Sequence, residues 1–162
     1  MSGKQRPSAQ WSSNQAADQA AVRHVLEQLG EALGCKDAPA TLALYAERAV
    51  RFDLAPPLQQ SSERSHHHRE LEAWFATWEG PIEHRLGRHE IVVEGDLALV
   101  WGFLWLGGRK REGGRSELWF RITWALRRTG AGWSIVHEHQ SVPFYMDGSM
   151  RAAVDLAPEE AA

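Results

Sequence analysis

The chain has 162 residues, 43% hydrophobic and 24% charged, and its 18 Lys and Arg against 21 Asp and Glu leave a formal charge of -3. This balance suits one globular domain with a single core; it excludes a disordered or fibrous chain and gives no net basic field to draw in nucleic acid or an anionic membrane. Cys35 is the one cysteine, which rules out an intrachain disulfide and a thiolate metal cluster, and no run of about 18 apolar residues offers a membrane span.

The opening MSGKQRPSAQWSSNQ is polar and has no apolar stretch of the secretory kind. Residues 1–15 are therefore expected to form a flexible arm, and the protein to be cytoplasmic. From Ala16 a helical period sets in, with Ala21, Val22, Val25, Leu26, Leu29, Ala32 and Leu33 at steps of three and four. Gly34 is placed to cap it. A second, short helix follows, with Asp37 as N-cap, Pro39 near its first turn, and Leu42, Leu44 and Tyr45 as apolar positions. Residues 49–55 read as a short strand, ended by Pro56-Pro57, which cannot donate to a ladder. The polar loop QQSSERSHHH then leads into a third helix carrying Leu71, Trp74, Phe75 and Trp78 and stopped by Gly80-Pro81. His66, His67 and His68 are expected to be its exposed polar start, with Ser65 as N-cap.

Thereafter the texture becomes strand-like, with segments at about 82–94, 97–107, 115–128 and 132–142 between glycine-rich turns. In the third, Leu118, Phe120, Ile122, Trp124 and Leu126 share one face, opposite Glu117, Trp119, Arg121, Thr123 and Arg127. The second segment is apolar on both faces, as in a central strand covered on both sides. The cluster of Arg109, Lys110, Arg111 and Arg115 among glycines reads as a solvated hairpin tip. Helices followed by consecutive strands predict an α+β domain with an antiparallel sheet. That domain should span residues 16–145, with residues 146–162 as a flexible tail.

Two stretches carry a resemblance to a known family. GWSIVHEHQSVPF (132–144) resembles the last strand, and RFDLAPPL (51–58) the first strand and its loop, of the SnoaL-like, ketosteroid-isomerase-homologue branch of the nuclear transport factor 2-like superfamily. WEGPIEH (78–84) and WFRITWALRR (119–128) fit the same pattern. The resemblance implies a cystatin-like roll: a sheet curled into a cone around a cavity, closed by three helices. It also implies homodimers formed through the outer sheet face, and functions ranging from isomerase, dehydratase and cyclase to ligand binder.

The chain is rich in tryptophan, with eight against five Phe and two Tyr, a residue suited to apolar walls with polar points. Strict alternation along the last strand puts Trp133, Ile135, His137, His139 and Ser141 on one face, expected to look inward, and Glu138 and Gln140 on the other. His137 and His139 are the candidate proton-transfer groups, with cross-strand hydrogen bonding as the structural alternative and a metal shared with Asp53 as a weaker third. Asp53 joins them as a carboxyl beside a dry cavity, or else caps the Pro-Pro loop or pairs with Arg121. Arg121 would anchor a ligand oxygen if it faces inward and would be a surface or interface charge if outward. Trp74, Trp101, Trp105, Trp119 and Ser141 complete the candidate binding set.

Nucleotide-binding loops, metalloprotease helices and nucleophile elbows are absent, and neither a cofactor nor a metal is expected. The leading reading is a cofactor-independent isomerase, dehydratase or cyclase acting on a small apolar or polyketide-like molecule. The alternatives are a non-catalytic binder of a hydrophobic metabolite and a dimerisation scaffold.

Overall fold

The apolar stripe at Val22, Val25, Leu26, Leu29 and Ala32 is buried along one side of a long helix, α1 (Gln10–Gly34), in the computed structural model, which describes residues 10–159. Each larger side chain of that stripe stabilises the fold by about 1.5–3 kcal/mol through burial. The helix starts at Gln10, so residues 10–15 are helical rather than an arm; residues 1–9 lie outside the described residues. Gly34 is not the left-handed cap. That conformation falls to Lys36 (φ 59), whose Nζ donates to the Trp78 carbonyl at 2.6 Å. A Cβ on Gly34 would stand 3.2 Å from the Ile82 carbonyl oxygen, so this glycine lets the helix lie close to the sheet.

Asp37 caps the short α2 (Ala38–Ala43), accepting from the Ala40 N–H at 2.9 Å. β1 (Tyr45–Phe52) starts earlier than the sequence suggests. α3 (Arg64–Ala76) has Glu63, not Ser65, at its N-cap position, and it ends before Trp78. Trp78 instead opens β2 (Trp78–Glu94), which continues into β3 (Leu97–Lys110), β4 (Gly114–Thr129) and β5 (Gly132–Ser141).

The sheet order is β1-β5-β4-β3-β2. All neighbours are antiparallel except β1 and β5, which are parallel, so the sheet is mixed rather than wholly antiparallel. β1 is separated from β5 by α3 and the whole meander, and no hairpin forces it to run the other way.

The seventeen residues of β2 would reach about 55 Å if straight, far beyond the about 15 Å radius of gyration of a globule of this size. The sheet must therefore bend. Register breaks between Glu79 and Glu83 and between Leu86 and His89 supply the bends. At the second, a Cβ on Gly102 would lie 2.5 Å from the Arg88 carbonyl oxygen. Only a glycine tolerates that approach.

The inner face of the curved sheet, with Val100, Ile122, Trp124, Leu126 and Ile135, packs on α1 as the main core. A smaller cluster of Ala38, Phe75, Trp78 and Ile82 lies beneath α3, and Leu33 and Leu106 touch both. Of the basic cluster Arg109, Arg111 and Arg115 are exposed, as expected, but Lys110 is half-buried over Trp78, and the tip docks: the Arg111 backbone N–H donates to the Thr77 carbonyl at 3.0 Å and its Nε to that of Ala76 at 2.8 Å. Cations there complement the C-terminal end of α3.

The segment after Tyr145 is not a loose tail as far as residue 159. Phe144 bridges to Ala152, Ala153 is buried, and the Tyr145 hydroxyl meets the Asp155 carboxylate at 2.7 Å. Among the described residues no helix is long and apolar enough to cross a membrane.

Candidate functional site

One extra residue in β5 decides which side chains enter the interior. Leu126 stands opposite Ile135 but Ala125 stands opposite His137, so Val136 is a bulge and the alternation reverses after it. Trp133 and Ile135 face inward as predicted. Beyond the bulge Glu138 and Gln140 face inward, and His137, His139 and Ser141 face outward. The expectation for these five side chains is thus inverted.

On the outer face the Phe52 ring lies edge-on to His137 at 5.1 Å and to His139 at 5.6 Å, and His137 Nδ1 donates to the Val50 carbonyl at 2.9 Å. This is the cross-strand structural role. Arg121, Trp119, Trp101 and Trp105 also lie outside: Arg121 is paired in register with Phe103 and Ser141, and Trp105 is buried beneath the Arg85 guanidinium at 3.9 Å. Of the nine candidate residues, Asp53 and Trp74 reach the cavity.

The cavity has a volume of about 430 Å³ and lies between the inner sheet face, α1, α3 and the loop after β1. Its apolar walls include Leu29, Leu33, Leu104, Leu118 and Phe120, with Trp74, Trp78 and Trp124 as the indoles. The loop residues Leu54, Ala55 and Pro56 close one side, held by Gln60, which donates from Nε2 to the Ala55 carbonyl at 3.0 Å and from its backbone N–H to that of Arg51. Pocket lining by tryptophan holds for these three indoles.

Two polar groups organise the interior. Glu138 is 6% exposed and accepts from the Tyr45 hydroxyl, from Trp124 Nε1 at 2.8 Å and from Gln140 Nε2 at 2.5 Å. Three donors fix this carboxylate in place. The second group is Arg51, also 6% exposed, which donates from one nitrogen to Asp53 Oδ2 and from the other to Glu70 Oε2, each at 2.9 Å. Glu70 in turn meets His66 Nε2 at 3.1 Å. With Oδ2 held, Asp53 Oδ1 is buried and has no partner among the described residues.

The electrostatics follow from this layout. Burial first, then the charge of Glu138, raises Asp53 to about 6, against the opposing pull of Arg51. Tyr45 is pushed well above the usual phenol range by burial and by Glu138, so its hydroxyl keeps its proton. Burial lowers His84 to about 4 and His67 to about 3, Arg51 and Arg64 adding to the effect on His67. Both imidazoles line the cavity as neutral bases. His67 is therefore buried, edge-on to Tyr45 at 5.3 Å, and not part of an exposed helix start. Among the described residues no three His, Cys, Asp or Glu side chains group as a metal site.

The sequence reading missed Tyr45, Arg51, His67, Glu70, His84 and Glu138. Arg51 was within reach, because it sits two residues before Asp53 and so shares its side of an extended chain. Glu138 carried no such signal, since in the run HEHQS either phase puts polar groups inside.

The comparisons with known proteins agree with this geometry. An NTF2-like protein of unknown function from Pseudomonas putida has 30% identity and a TM-score of 0.77, covering 88% of this chain and 98% of that one. A candidate dehydratase of the NTF2-like family from Streptomyces avermitilis has 21% identity and a TM-score of 0.70, covering 80% and 99%, and shares the fold. A curated relative, the UDP-N-acetylmuramoylalanine–D-glutamate ligase of Roseobacter denitrificans, is 29% identical over 169 residues covering 90% of this chain, which spans 35% of that protein's length. Residues 22–145 match the family described as a SnoaL-like domain. With its helix-lidded, curved five-stranded sheet and internal cavity, the chain belongs to the SnoaL-like family of the NTF2-like superfamily.

Proposed function

We propose that this domain binds a small, largely apolar molecule in its cavity and moves a proton on it, as a cofactor-independent isomerase, dehydratase or cyclase does. The observation that carries the reading is Asp53: one oxygen is clamped by Arg51, and the other is buried, unpartnered and set in the wall of the cavity. A carboxyl raised to about 6 is suited to proton exchange near neutral pH. Neutral His84 in the same wall is the second titratable group, and the Tyr45 hydroxyl keeps Glu138 in place. The name of the Streptomyces avermitilis neighbour, a candidate dehydratase, is in keeping with this chemistry.

Mass spectrometry of molecules that co-purify with the native protein supplies candidate substrates. Asp53→Asn should then reduce turnover about 100-fold or more, and His139→Ala should leave it unchanged. Full turnover in the Asp53 variant would overturn the assignment.

A second reading, non-catalytic binding, is favoured by one observation. Among the described residues no hydrogen bond joins Asp53 to His84, His67 or Glu138, so the wall presents a free carboxyl oxygen without an assembled acid–base pair. Under that reading the co-purified molecule leaves unchanged. We propose further that two copies pair through the outer sheet face, where Leu97, Leu99 and Trp101 are 51%, 41% and 38% exposed. A cytoplasmic location is part of the same proposal, in keeping with a single free cysteine, Cys35.

A further inference from the structure

The charge around the cavity is unbalanced. Asp53, Glu70 and Glu138 contribute three carboxylates to its lining, against the two cations Arg51 and Lys110. Arg51 is neutralised by two carboxylates, whereas Lys110 is held at the rim by a neutral hydroxyl and an indole face. Arg51 engages Asp53 and Glu70, and Lys110 donates to Thr77 Oγ1 at 2.9 Å. Meanwhile Asp53 Oδ1 is buried with nothing to accept from, and a buried oxygen in that state gains free energy when a donor arrives.

The walls supply the rest. Tyr45, Trp74, Trp78, Phe120 and Trp124 border the space, and aromatic faces attract organic cations. One of them already does so within the chain: the Lys110 ammonium lies 3.5 Å from the centroid of the Trp78 ring.

We infer that the cavity takes an organic amine, its ammonium group donating to Asp53 Oδ1 and its apolar body lying against the leucine and indole walls. This rests on the reading of the cavity as the ligand site, and is independent of whether turnover follows. The geometry makes Asp53 the selectivity residue for charge, and Lys110 a resident cation on the Trp78 face.

Three probes of nearly one shape separate the terms: 2-phenylethylamine, 2-phenylethanol and phenylacetate, titrated calorimetrically into the full chain. The amine should bind about tenfold more tightly than the alcohol, the margin of one charge-assisted hydrogen bond, and phenylacetate more weakly than either. Asp53→Asn should remove the amine's advantage and leave the alcohol's affinity unchanged. Lys110→Met, which frees the Trp78 face, should strengthen amine binding. Phenylacetate binding tightest, or an amine preference that survives Asp53→Asn, would overturn the inference. If all three bind equally and Leu104→Trp abolishes all binding, the cavity stands as a ligand site and the amine assignment falls. If none binds, the cavity reading falls with it.

Discussion

A buried carboxyl that ionises reluctantly leaves a mark on folding stability, and Asp53→Asn exposes it without any substrate. The ordinary carboxyl value of 3.8 against about 6 in the folded protein corresponds to about 3 kcal/mol. Between those two values the unfolded chain has released the proton and the folded chain still holds it. Stability therefore falls as pH rises through this window. The contribution of Asp53 is fully favourable below about pH 4 and lost above about pH 6. His67 and His84 work in the opposite sense, being held neutral with values of about 3 and about 4, but they are present in both proteins and cancel in a difference. Urea denaturation of the native chain and of Asp53→Asn at intervals from pH 4 to 8 should show the variant gaining on the native protein by about 3 kcal/mol between pH 4 and 7. A difference that stays level across that range would refute the environment assigned to Asp53.

Three further outcomes test the frame around it. Glu138→Ala strands the Tyr45 hydroxyl and the Trp124 N–H, both buried, and should cost about 3 kcal/mol, lowering Tm by roughly 10 °C; a thermal melt shifted by less than about 2 °C would contradict the network. Gly102→Ala forces a Cβ to within 2.5 Å of a backbone oxygen and should cost about 1–3 kcal/mol, whereas Gly130→Ala, with nothing within 4 Å, should stay within about 0.5 kcal/mol; equal costs in chemical denaturation would remove the steric reason for the glycine. Trp101→Glu places a charge on the exposed outer face and should convert a dimer to monomer in light scattering, while an unchanged mass would reject that face as the contact.

What the sequence disclosed and what it withheld divide along physical lines. Helical stripes and strand alternation are summed over many residues, so α1 and the inward set Leu118 to Leu126 were readable, and β4 keeps one phase throughout. The polar site was less legible because it depends on single-residue events. Val136 shifts the register by one and exchanges His137 and His139 for Glu138 and Gln140, with no composition signal to announce it. His67 is buried because α3 packs over Tyr45, a tertiary fact that a run of three histidines does not disclose. Asp53 was legible because it closes the short apolar run ahead of Pro56-Pro57, although β1 itself stops at Phe52, short of the predicted end at residue 55.

Gly30 and Gly34 stand one turn apart on the same side of α1, facing β2: a Cβ on the first would come 3.0 Å from His84 Nδ1, and on the second 3.2 Å from the Ile82 oxygen. The standoff between lid and sheet is therefore governed by two hydrogen atoms where other residues carry carbon. Methylating Gly34 would press the lid away from the Ile82 backbone, and methylating Gly30 would push on the His84 ring. Ligand size can in this way be tuned from the backbone of the lid, with no cavity side chain replaced.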